Sequence, residues 1–291
     1  MLARWMSRTI AIVGPGRVGQ TLARALRQCG YRIGVVASRS PKRARAAVKF
    51  IGGGRAVNGL SAALFDADML LLPVSDAHIA AIARKLANTG GRRWRGKVVL
   101  HTSGSRSSRE LGPLRRLGAQ CASFHPLFPF PQPLRWFPEG VFFGIEGDRA
   151  AVRRARELAR ALEGVPLRVP ARQKVLYHAA GALASGQLLT LADLGARVLR
   201  RIGVPRRQAS RALLPLIRST IEQYAQLGER AWTGPLARGD AETVGKHLAA
   251  LEKLPPYFLQ AYAVLGQAAV ALYRRKKVSR SRRRRFGSRG R

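Results

Sequence analysis

The fold is decided by one stretch near the start of the chain, Thr9-Ile-Ala-Ile-Val-Gly-Pro-Gly-Arg-Val-Gly-Gln-Thr-Leu-Ala-Arg-Ala-Leu26. Its first five residues are apolar and rich in β-branched side chains, which favour a strand. Three glycines follow with the spacing Gly14-x-Gly16-x-x-Gly19, and a helical pattern with apolar residues three and four positions apart comes next. This order of strand, glycine turn and helix is the context that a dinucleotide-binding fingerprint requires.

Each glycine of the turn has a physical reason to be there. Gly14 permits the tight turn, Gly16 lets a pyrophosphate approach the backbone, and Gly19 allows the helix to pack closely on the strand. The helix N-terminus adds free N–H groups and a partial positive charge that favour phosphates. The predicted cofactor-binding residues of this turn are Gly14, Pro15, Gly16, Arg17, Val18 and Gly19.

The end of the second predicted strand, which covers residues 31–37, indicates which nicotinamide cofactor binds. A site that prefers NAD usually has Asp or Glu here, about 20 residues after the glycines, to bind the ribose 2′-hydroxyl. This chain has Ser38-Arg39-Ser40 instead, so no acid is present to repel a 2′-phosphate. The hydroxyls and the guanidinium can donate hydrogen bonds to that phosphate. The sequence therefore predicts NADP rather than NAD.

Strands and helices alternate through the rest of the first half of the chain. A buried strand within residues 66–74 leads into Pro73-Val74-Ser75, which we expect to lie along the dinucleotide. Two later strands end at His101-Thr-Ser-Gly104 and at His125-Pro-Leu127. Because ligands of doubly wound sheets bind at the carboxyl ends of the strands, His101, Ser103 and His125 are candidate site residues.

After residue 171 the pattern predicts helices only. We therefore predict an α/β fold in which a Rossmann-type doubly wound parallel sheet occupies residues 1–170. An all-α domain follows over residues 171–274, and a basic, disordered tail covers residues 275–291. On one face of the long helix predicted from Arg172 to Ile202 lie Lys174, His178, Gly181 and Ser185. Lys174 or His178 could donate a proton to a substrate, although a solvated lysine and a core histidine remain the alternative.

Composition excludes several classes of protein and limits the partners. The formal charge is +38, and 11 Lys or Arg residues lie in the last 18 positions, so nucleic-acid binding is expected only as an accessory property of the tail. Cys29 and Cys121 form no CxxC, and no HxH or HExxH spacing occurs, which predicts reduced cytoplasmic thiols and no metal. No apolar run long enough to cross a membrane and no signal peptide is predicted.

Taken together, the motifs resemble those of one family. They are the glycine turn, His101-Thr-Ser-Gly104, His125-Pro-Leu127, Lys174-x-x-Tyr177-His178-Ala-Ala180 and Gly234-Pro-Leu-Ala-Arg-Gly-Asp240. This combination resembles predicted oxidoreductases that join a Rossmann-like domain to a helical domain of unknown function 2520. The chain is more distantly similar to ketopantoate reductases, pyrroline-5-carboxylate reductases and β-hydroxyacid dehydrogenases.

The resemblance implies NADP-dependent hydride transfer to a small carbonyl or imine, with a helical second domain that closes the cleft and forms a homodimer. A lysine on the corresponding helix commonly serves in the hydroxyacid relatives. On this basis the predicted catalytic residues are Lys174, His178 and His125. The predicted substrate contacts are His101, Ser103, Ser185, Arg238 and His247, among which Arg238 could hold a carboxylate.

One departure keeps other functions open. Many members of the resembled family carry Asn where this chain has Gly186, so the side-chain amide that could bind a substrate there is absent. This departure supports the alternative of a non-catalytic, NADP-binding sensor. A deazaflavin-linked NADP reductase is a further alternative, because that family shares the same N-terminal architecture.

Overall fold

The structure is a computed structural model that describes the backbone of residues 9–286 and the side chains of residues 9–272. The chain divides into two compact units, Met1–Gly186 and Gln187–Arg291. The division falls later than the predicted domain boundary at residue 170, because the first helix after the sheet is anchored to the sheet by the side chains of Lys174 and Tyr177.

The first unit is built on one sheet of eight strands in the order β3-β2-β1-β4-β5-β6-β7-β8. The strands are β1 (Thr9–Val13), β2 (Arg32–Ser38), β3 (Arg55–Asn58), β4 (Met69–Leu72), β5 (Val98–His101), β6 (Gln120–Pro126), β7 (Phe142–Gly147) and β8 (Val165–Arg168). Its helices are α1 (Arg17–Gln28), α2 (Pro41–Ile51), α3 (Asp76–Gly90), α4 (Gly112–Arg116), α5 (Arg149–Ala161) and α6 (Lys174–Ala182). The predicted Rossmann-type α/β fold is confirmed.

The sheet is parallel from β3 to β6 and then changes direction. β7 pairs antiparallel with β6, with His125 opposite Gly144, and β8 pairs parallel with β7. The connection between β6 and β7 is the proline-rich segment 127–141, which contains no helix that could carry the chain back to the other end of the sheet. The sheet is therefore predominantly parallel, and β6–β7 is an antiparallel pair within it.

Apolar side chains cover both faces of the sheet, as a doubly wound fold requires. In β1, Ile10 and Ile12 point to one face and pack in a core that also contains Phe124 and Phe143. The alternate residue Ala11 belongs to the core of the other face. The period of two thus places successive residues of one strand in two separate cores, which fixes the register of the sheet.

The long helix predicted from Arg172 to Ile202 is interrupted. α6 ends at Ala182, a π-helical turn covers Leu183–Gln187, and α7 (Leu188–Arg201) continues. Gly186 lies in this turn, and a glycine is a poor helix former. π-turns of this kind occur frequently at functional sites.

The second unit is helical. It contains α7, α8 (Arg206–Leu227), α9 (Pro235–Arg238), α10 (Ala241–Leu251) and α11 (Pro256–Phe286). Asp240 caps α10, because its Oδ1 accepts a hydrogen bond of 3.0 Å from Thr243 N–H, as expected from its position before the helix.

α11 extends into the predicted tail. Disorder is expected from residue 275 onward, but the helix continues to Phe286, consistent with the good helix propensity of Arg and Lys. The rest of the predicted tail, residues 287–291, lies outside the described residues.

One helical stretch is long and apolar enough to cross a membrane when judged by length and composition alone, and it covers residues 171–201. A single stretch of this kind is weak support for a membrane span. Its first turn is tied to the sheet of the first unit, since Lys174 is fully buried and bonded to Ser103 and Ser123.

Candidate active site

The glycine turn between β1 and α1 has the geometry that the fingerprint predicts. Gly14 has φ +87°, and a Cβ atom there would collide with Cγ1 of Val74. A Cβ on Gly19 would lie 2.6 Å from Cγ of Pro73. Helix α1 can therefore approach the end of β4 this closely only because residue 19 has no side chain. A Cβ on Gly16 would meet no atom within 4 Å, so the space above this residue is open.

The N-terminus of α1 is available for an anion. Gly16 is the N-cap residue, and no side chain of the described residues caps it. Gly16 and Arg17 are exposed, while Gln20 Nε2 donates a hydrogen bond of 2.9 Å to Pro15 O and holds the turn in shape. Backbone N–H groups at this helix N-terminus, together with the open space above Gly16, form a suitable binding site for a pyrophosphate.

The residues after β2 form the second part of the predicted cofactor site. Ser38 Oγ accepts a hydrogen bond of 3.3 Å from Ser40 N–H, and Ser40 Oγ accepts one of 3.3 Å from Arg43 N–H at the start of α2. Both hydroxyls therefore keep a proton to donate. Arg39 between them is exposed. The group presents hydroxyls and cations to an anion, and residues 38–43 include no carboxylate.

The end of β4 completes this region. Pro73 is buried against Gly19, and Val74 packs on Gly14. Ser75 occupies the N-cap position of α3, but its hydroxyl forms no cap hydrogen bond and lies 2.6 Å from Nδ1 of His78 instead. The structure thus brings the three segments of the predicted cofactor site together, although their binding role stays a prediction.

The loop after β5 is held from below by buried polar groups. Ser103 N–H donates to Nδ1 of His101 at 3.1 Å, and the Ser103 carbonyl accepts hydrogen bonds from Ser123 Oγ at 3.2 Å and from Lys174 Nζ at 3.0 Å. Nζ of Lys174 also lies 2.6 Å from Ser123 Oγ. Three side chains, one each from β5, β6 and α6, thereby fix one loop.

This geometry gives Lys174 a structural role that the sequence did not predict. Its side chain is fully buried, and burial lowers the pKa of the ammonium to about 8, although the nearby Glu146 and Asp76 oppose the shift. His101 is also fully buried, and its Nε2 lies near the Ser107 backbone and forms no hydrogen bond within the described residues. Direct contact of Lys174 or His101 with a substrate stays a prediction.

Three rings meet beside the same loop, and we call Gly104, His125, Tyr177 and His178 the histidine cluster. Nδ1 of His125 lies 2.9 Å from Oη of Tyr177, and the rings of His125 and His178 have centroids 5.9 Å apart. Gly104 makes this approach possible, because a Cβ there would lie 2.8 Å from Nε2 of His125 and would collide with Cδ2 of His178. His178 is exposed, whereas His125 and Tyr177 are half-buried.

The charge states in and around the cluster follow from burial. Burial, with the repulsion of Lys174, lowers the pKa of His125 to about 3, and the same causes lower the pKa of His101 to about 4. Burial raises the pKa of Tyr177 to about 12. All three side chains are therefore neutral at pH 7.

Asp76 places a negative charge next to this neutral group. Its Oδ2 accepts a hydrogen bond of 2.6 Å from Ser105 Oγ. Burial raises the pKa of Asp76, but hydrogen bonds from Ser105 and Ser103 and the nearby His178 outweigh that effect and lower it overall. The structure thus places an ionised carboxylate near the exposed His178.

The remaining predicted substrate residues lie elsewhere. Ser185 is exposed in the π-turn, and its Oγ donates a hydrogen bond of 2.7 Å to Gly181 O. Arg238 and His247 belong to the second unit and are exposed. Nδ1 of His247 lies 2.8 Å from Oη of Tyr262. The structure therefore brings His101, Ser103, His125, Lys174 and His178 together, and it describes Arg238 and His247 only within their own unit.

Two residues of the site were missed by reasoning from the sequence, Asp76 and Tyr177. Asp76 stands in the first turn of α3, where acidic residues are common, so the sequence gives no signal of its place in the site. Tyr177 follows Lys174 by three residues and therefore lies on nearly the same face of α6, so this spacing was a usable signal.

Two further observations concern possible metal ligands and a separate pocket. Among the residues that the structure describes, no three His, Cys, Asp or Glu side chains are arranged to hold a metal ion. An open pocket of about 740 Å³ lies at the other end of the sheet, where Arg55 begins β3 and Lys97 precedes β5. It is lined by Arg93 and Asp66 as well and does not overlap the glycine turn or the histidine cluster.

Two family models match the chain. Residues 4–126 match a Rossmann-like domain, and residues 141–269 match the domain of unknown function 2520. The resemblance inferred from the motifs is thereby confirmed. No curated protein sequence matches significantly.

Solved structures share the fold over nearly the whole chain. A provisionally assigned NADP oxidoreductase from Bacteroides fragilis is 21% identical, with a TM-score of 0.72 and coverage of 91% of this chain and 99% of the other. A pyrroline carboxylate reductase from Plasmodium falciparum with NADP bound is 13% identical, with a TM-score of 0.57 and coverage of 91% and 96%. An imine reductase from Streptomyces aurantiacus is 16% identical, with a TM-score of 0.61 and coverage of 94% and 95%. At these identities the similarity establishes the fold.

Proposed function

We propose that this chain, in which a Rossmann-like domain precedes a DUF2520 domain, is an NADP-dependent oxidoreductase that reduces a small, carboxylate-bearing ketone or imine. The observation that carries the proposal is the open glycine turn beside an acid-free β2 end. Gly16 leaves space above an uncapped helix N-terminus, and Ser38, Arg39 and Ser40 offer donors without a carboxylate. Similar folds in solved structures include reductases of imines and of pyrroline carboxylate, one of them with NADP bound.

When bound, NADPH supplies the hydride that reduces the substrate carbon. Gly14–Gly19 would hold the pyrophosphate, and Ser38–Ser40 the 2′-phosphate, because these groups match the anions in position and charge. Pro73, Val74 and Ser75 would lie along the dinucleotide, since they contact or adjoin the glycine turn.

The histidine cluster would serve the other half of the reaction. When hydride adds to the carbon of the substrate C=O or C=N bond, the oxygen or nitrogen of that bond gains electron density. This atom then takes up one proton. His125 would hydrogen-bond that atom as a neutral donor, and the exposed His178 beside the ionised Asp76 would supply the proton. Lys174 would act indirectly by holding the Ser103 carbonyl and hence the loop that carries Gly104.

The test of the cofactor is a titration of NADPH and NADH into the wild type and Arg39→Ala. Loss of one charge-assisted hydrogen bond is expected to weaken NADPH binding by about 1.5–3 kcal/mol and to leave NADH binding nearly unchanged. Equal affinity of the wild type for both nucleotides would remove the preference for NADP.

The test of the reaction is a panel of 2-ketoacids, ketopantoate and cyclic imino acids with purified protein and NADPH. Consumption of NADPH with one of these compounds supports the proposal. Tight NADPH binding without turnover on any of them favours the alternative of an NADP-binding sensor, for which the missing Asn at Gly186 is the specific observation. Turnover only with a deazaflavin would favour the deazaflavin-linked alternative.

We further propose a homodimer that works in the cytoplasm. Large apolar side chains are exposed along the helices after the sheet, and a patch of this kind marks an interface. Those with more than half of their surface exposed include Leu189, Ile202, Leu216, Tyr224, Val264 and Leu272. A second copy of the chain would cover these side chains. It would also account for the exposed apolar surface of residues 171–201 without a membrane. Sedimentation equilibrium checks this, and a monomer at micromolar concentration contradicts it.

A further inference from the structure

The contact between Tyr177 and His125 depends on a second glycine. His125 on β6 lies opposite Gly144 on β7, and a Cβ on Gly144 would lie 2.6 Å from both Cζ and Oη of Tyr177. The phenol ring can therefore rest on β7 only because this position has no side chain. In that place its hydroxyl lies 2.9 Å from Nδ1 of His125, with the two rings edge to face at 87°.

The direction of this hydrogen bond follows from the chemistry of the two groups. Both partners are neutral at pH 7, so the pair has one phenol O–H and one imidazole N–H. A phenol O–H is a stronger donor than an imidazole N–H, and the unprotonated imidazole nitrogen is a stronger acceptor than a phenol oxygen. The hydroxyl proton of Tyr177 therefore points at Nδ1 of His125, which accepts it. A neutral imidazole whose Nδ1 accepts carries its proton on Nε2.

The other side of the ring is where that proton is useful. Nε2 of His125 faces Gly104, which has no side chain to cover it, and the exposed His178 lies beside it. His125 is only half-buried, so the residue is partly open to solvent. A neutral N–H in a partly dry place can stabilise negative charge that develops on an oxygen or nitrogen atom without becoming an imidazolate.

We infer that Tyr177 is a positioning residue, which fixes His125 in the Nε2–H tautomer and so aims a neutral hydrogen-bond donor at the reacting atom of the substrate. This inference rests on the proposed function for its purpose, but the tautomer itself does not depend on any reaction. Tyr177 makes no direct contact with the substrate in this scheme, and its effect is transmitted through the His125 ring.

The experiment is long-range ¹H–¹⁵N NMR on the full chain labelled with ¹⁵N-histidine, with His125→Gln used to assign the resonances. In the wild type, we expect the two nitrogens of His125 to have shifts typical of a protonated Nε2 and an unprotonated Nδ1, unchanged between pH 5 and pH 8. In Tyr177→Phe, we expect the two shifts to move toward each other, because both tautomers become populated.

Two controls keep the result specific. Gly144→Ala retains the hydroxyl but displaces the ring, so it should change the His125 shifts in the same way if Tyr177→Phe folds poorly. Tyr262→Phe removes the hydroxyl of a matched pair, whose Oη lies 2.8 Å from Nδ1 of His247, and should leave the His125 shifts unchanged. A wild type with a protonated Nδ1, or His125 shifts that are identical in Tyr177→Phe, would overturn the inference.

Kinetics and binding separate this inference from the proposed function. With any substrate found in the panel, Tyr177→Phe should lower kcat by about tenfold, less than the loss of about 10²–10³ for removal of a donor itself, and should leave the Kd for NADPH within about twofold. Tyr257→Phe, at an exposed tyrosine near the start of α11, is the matched substitution that should change neither value. If NADPH does not bind while the tautomer shift is observed, the proposed function fails and the positioning role of Tyr177 stands.

Discussion

The glycine turn and the histidine cluster are both made possible by glycines, but they use them in different ways. In the turn, Gly16 leaves open space so that backbone groups of one continuous stretch can contact a ligand. At the histidine cluster, Gly104 and the neighbouring Gly144 leave space that is filled by side chains of the same protein. The missing Cβ in the glycine turn makes room for a ligand, whereas the missing Cβ atoms at the cluster make room for side chains of the protein itself.

This difference determines what a mutation should change. Filling an open space affects binding and leaves the fold intact, whereas filling a space that is already occupied displaces the fold or the rings around it. The four predictions below test that contrast and the side chains that the cluster brings together.

The largest effect is expected from His178→Ala. His178 is exposed and lies beside the ionised Asp76, so its loss should leave the fold unchanged and remove the proposed proton donor. Turnover should fall by about 10²–10⁴ while NADPH binding is retained. Steady-state kinetics and a fluorescence titration check both parts, and full turnover in this variant would remove His178 from the mechanism.

A second effect concerns the buried cation below the loop. The pKa of Lys174 is lowered from 10.5 to about 8 by burial, so the unfolded state binds more protons than the folded state between these two values. Stability should therefore rise by about 3 kcal/mol as the pH increases through this window. Lys174→Met cannot lose a proton there, and the rise should be absent from the variant.

Urea unfolding of the two proteins at pH 7, 8, 9 and 10 gives this difference directly. Other lysines and tyrosines titrate in the same range, but they do so equally in both proteins and cancel. Parallel curves for wild type and Lys174→Met would show that the ammonium is not desolvated as its burial indicates.

The third prediction compares two alanines in the glycine turn. Gly14→Ala introduces a side chain at φ +87° against Val74, and it should lower the free energy of unfolding by about 2–3 kcal/mol. Gly16→Ala meets no atom within 4 Å, so stability should stay the same while NADPH affinity falls by about tenfold or more. Thermal unfolding and NADPH titration of Gly14→Ala and Gly16→Ala check this prediction. An equal loss of stability in the two variants would contradict it.

The same contrast explains how far the sequence predicts the structure. The turn is local, so its strand, its three glycines and its helix could all be identified from spacing, and the structure confirms β1 at Thr9–Val13. The cluster is assembled from the loop after β5, from β6 and from α6. That loop is itself fixed by a contact between Lys174 and Ser103, which are 71 residues apart. Burial of Lys174 and the approach of Tyr177 to Gly144 depend on that assembly and leave no local pattern.

The reversal of β7 and the break in the long helix have the same origin. The prolines of residues 128–133 are typical of a loop, but they do not indicate that the chain returns beside β6 in the opposite direction. The pattern of apolar residues through 172–202 is helical throughout, and the π-turn at Leu183–Gln187 inserts a local change that this pattern does not record.

The smallest effect is expected at that π-turn, from Gly186→Asn. Many members of the resembled family carry Asn here, and a Cβ on Gly186 would meet no atom within 4 Å, so the fold should accept the change with less than about 1 kcal/mol in stability. If the amide of that Asn binds the substrate, its return should raise kcat/KM by up to about tenfold, the value of one neutral hydrogen bond. Gly186→Ala is the matched control, because it also raises the helix propensity at this position but adds no amide. Equal kcat/KM values for the alanine and asparagine variants would show that this chain does not use the position for substrate binding, and the missing amide would then no longer support the sensor alternative.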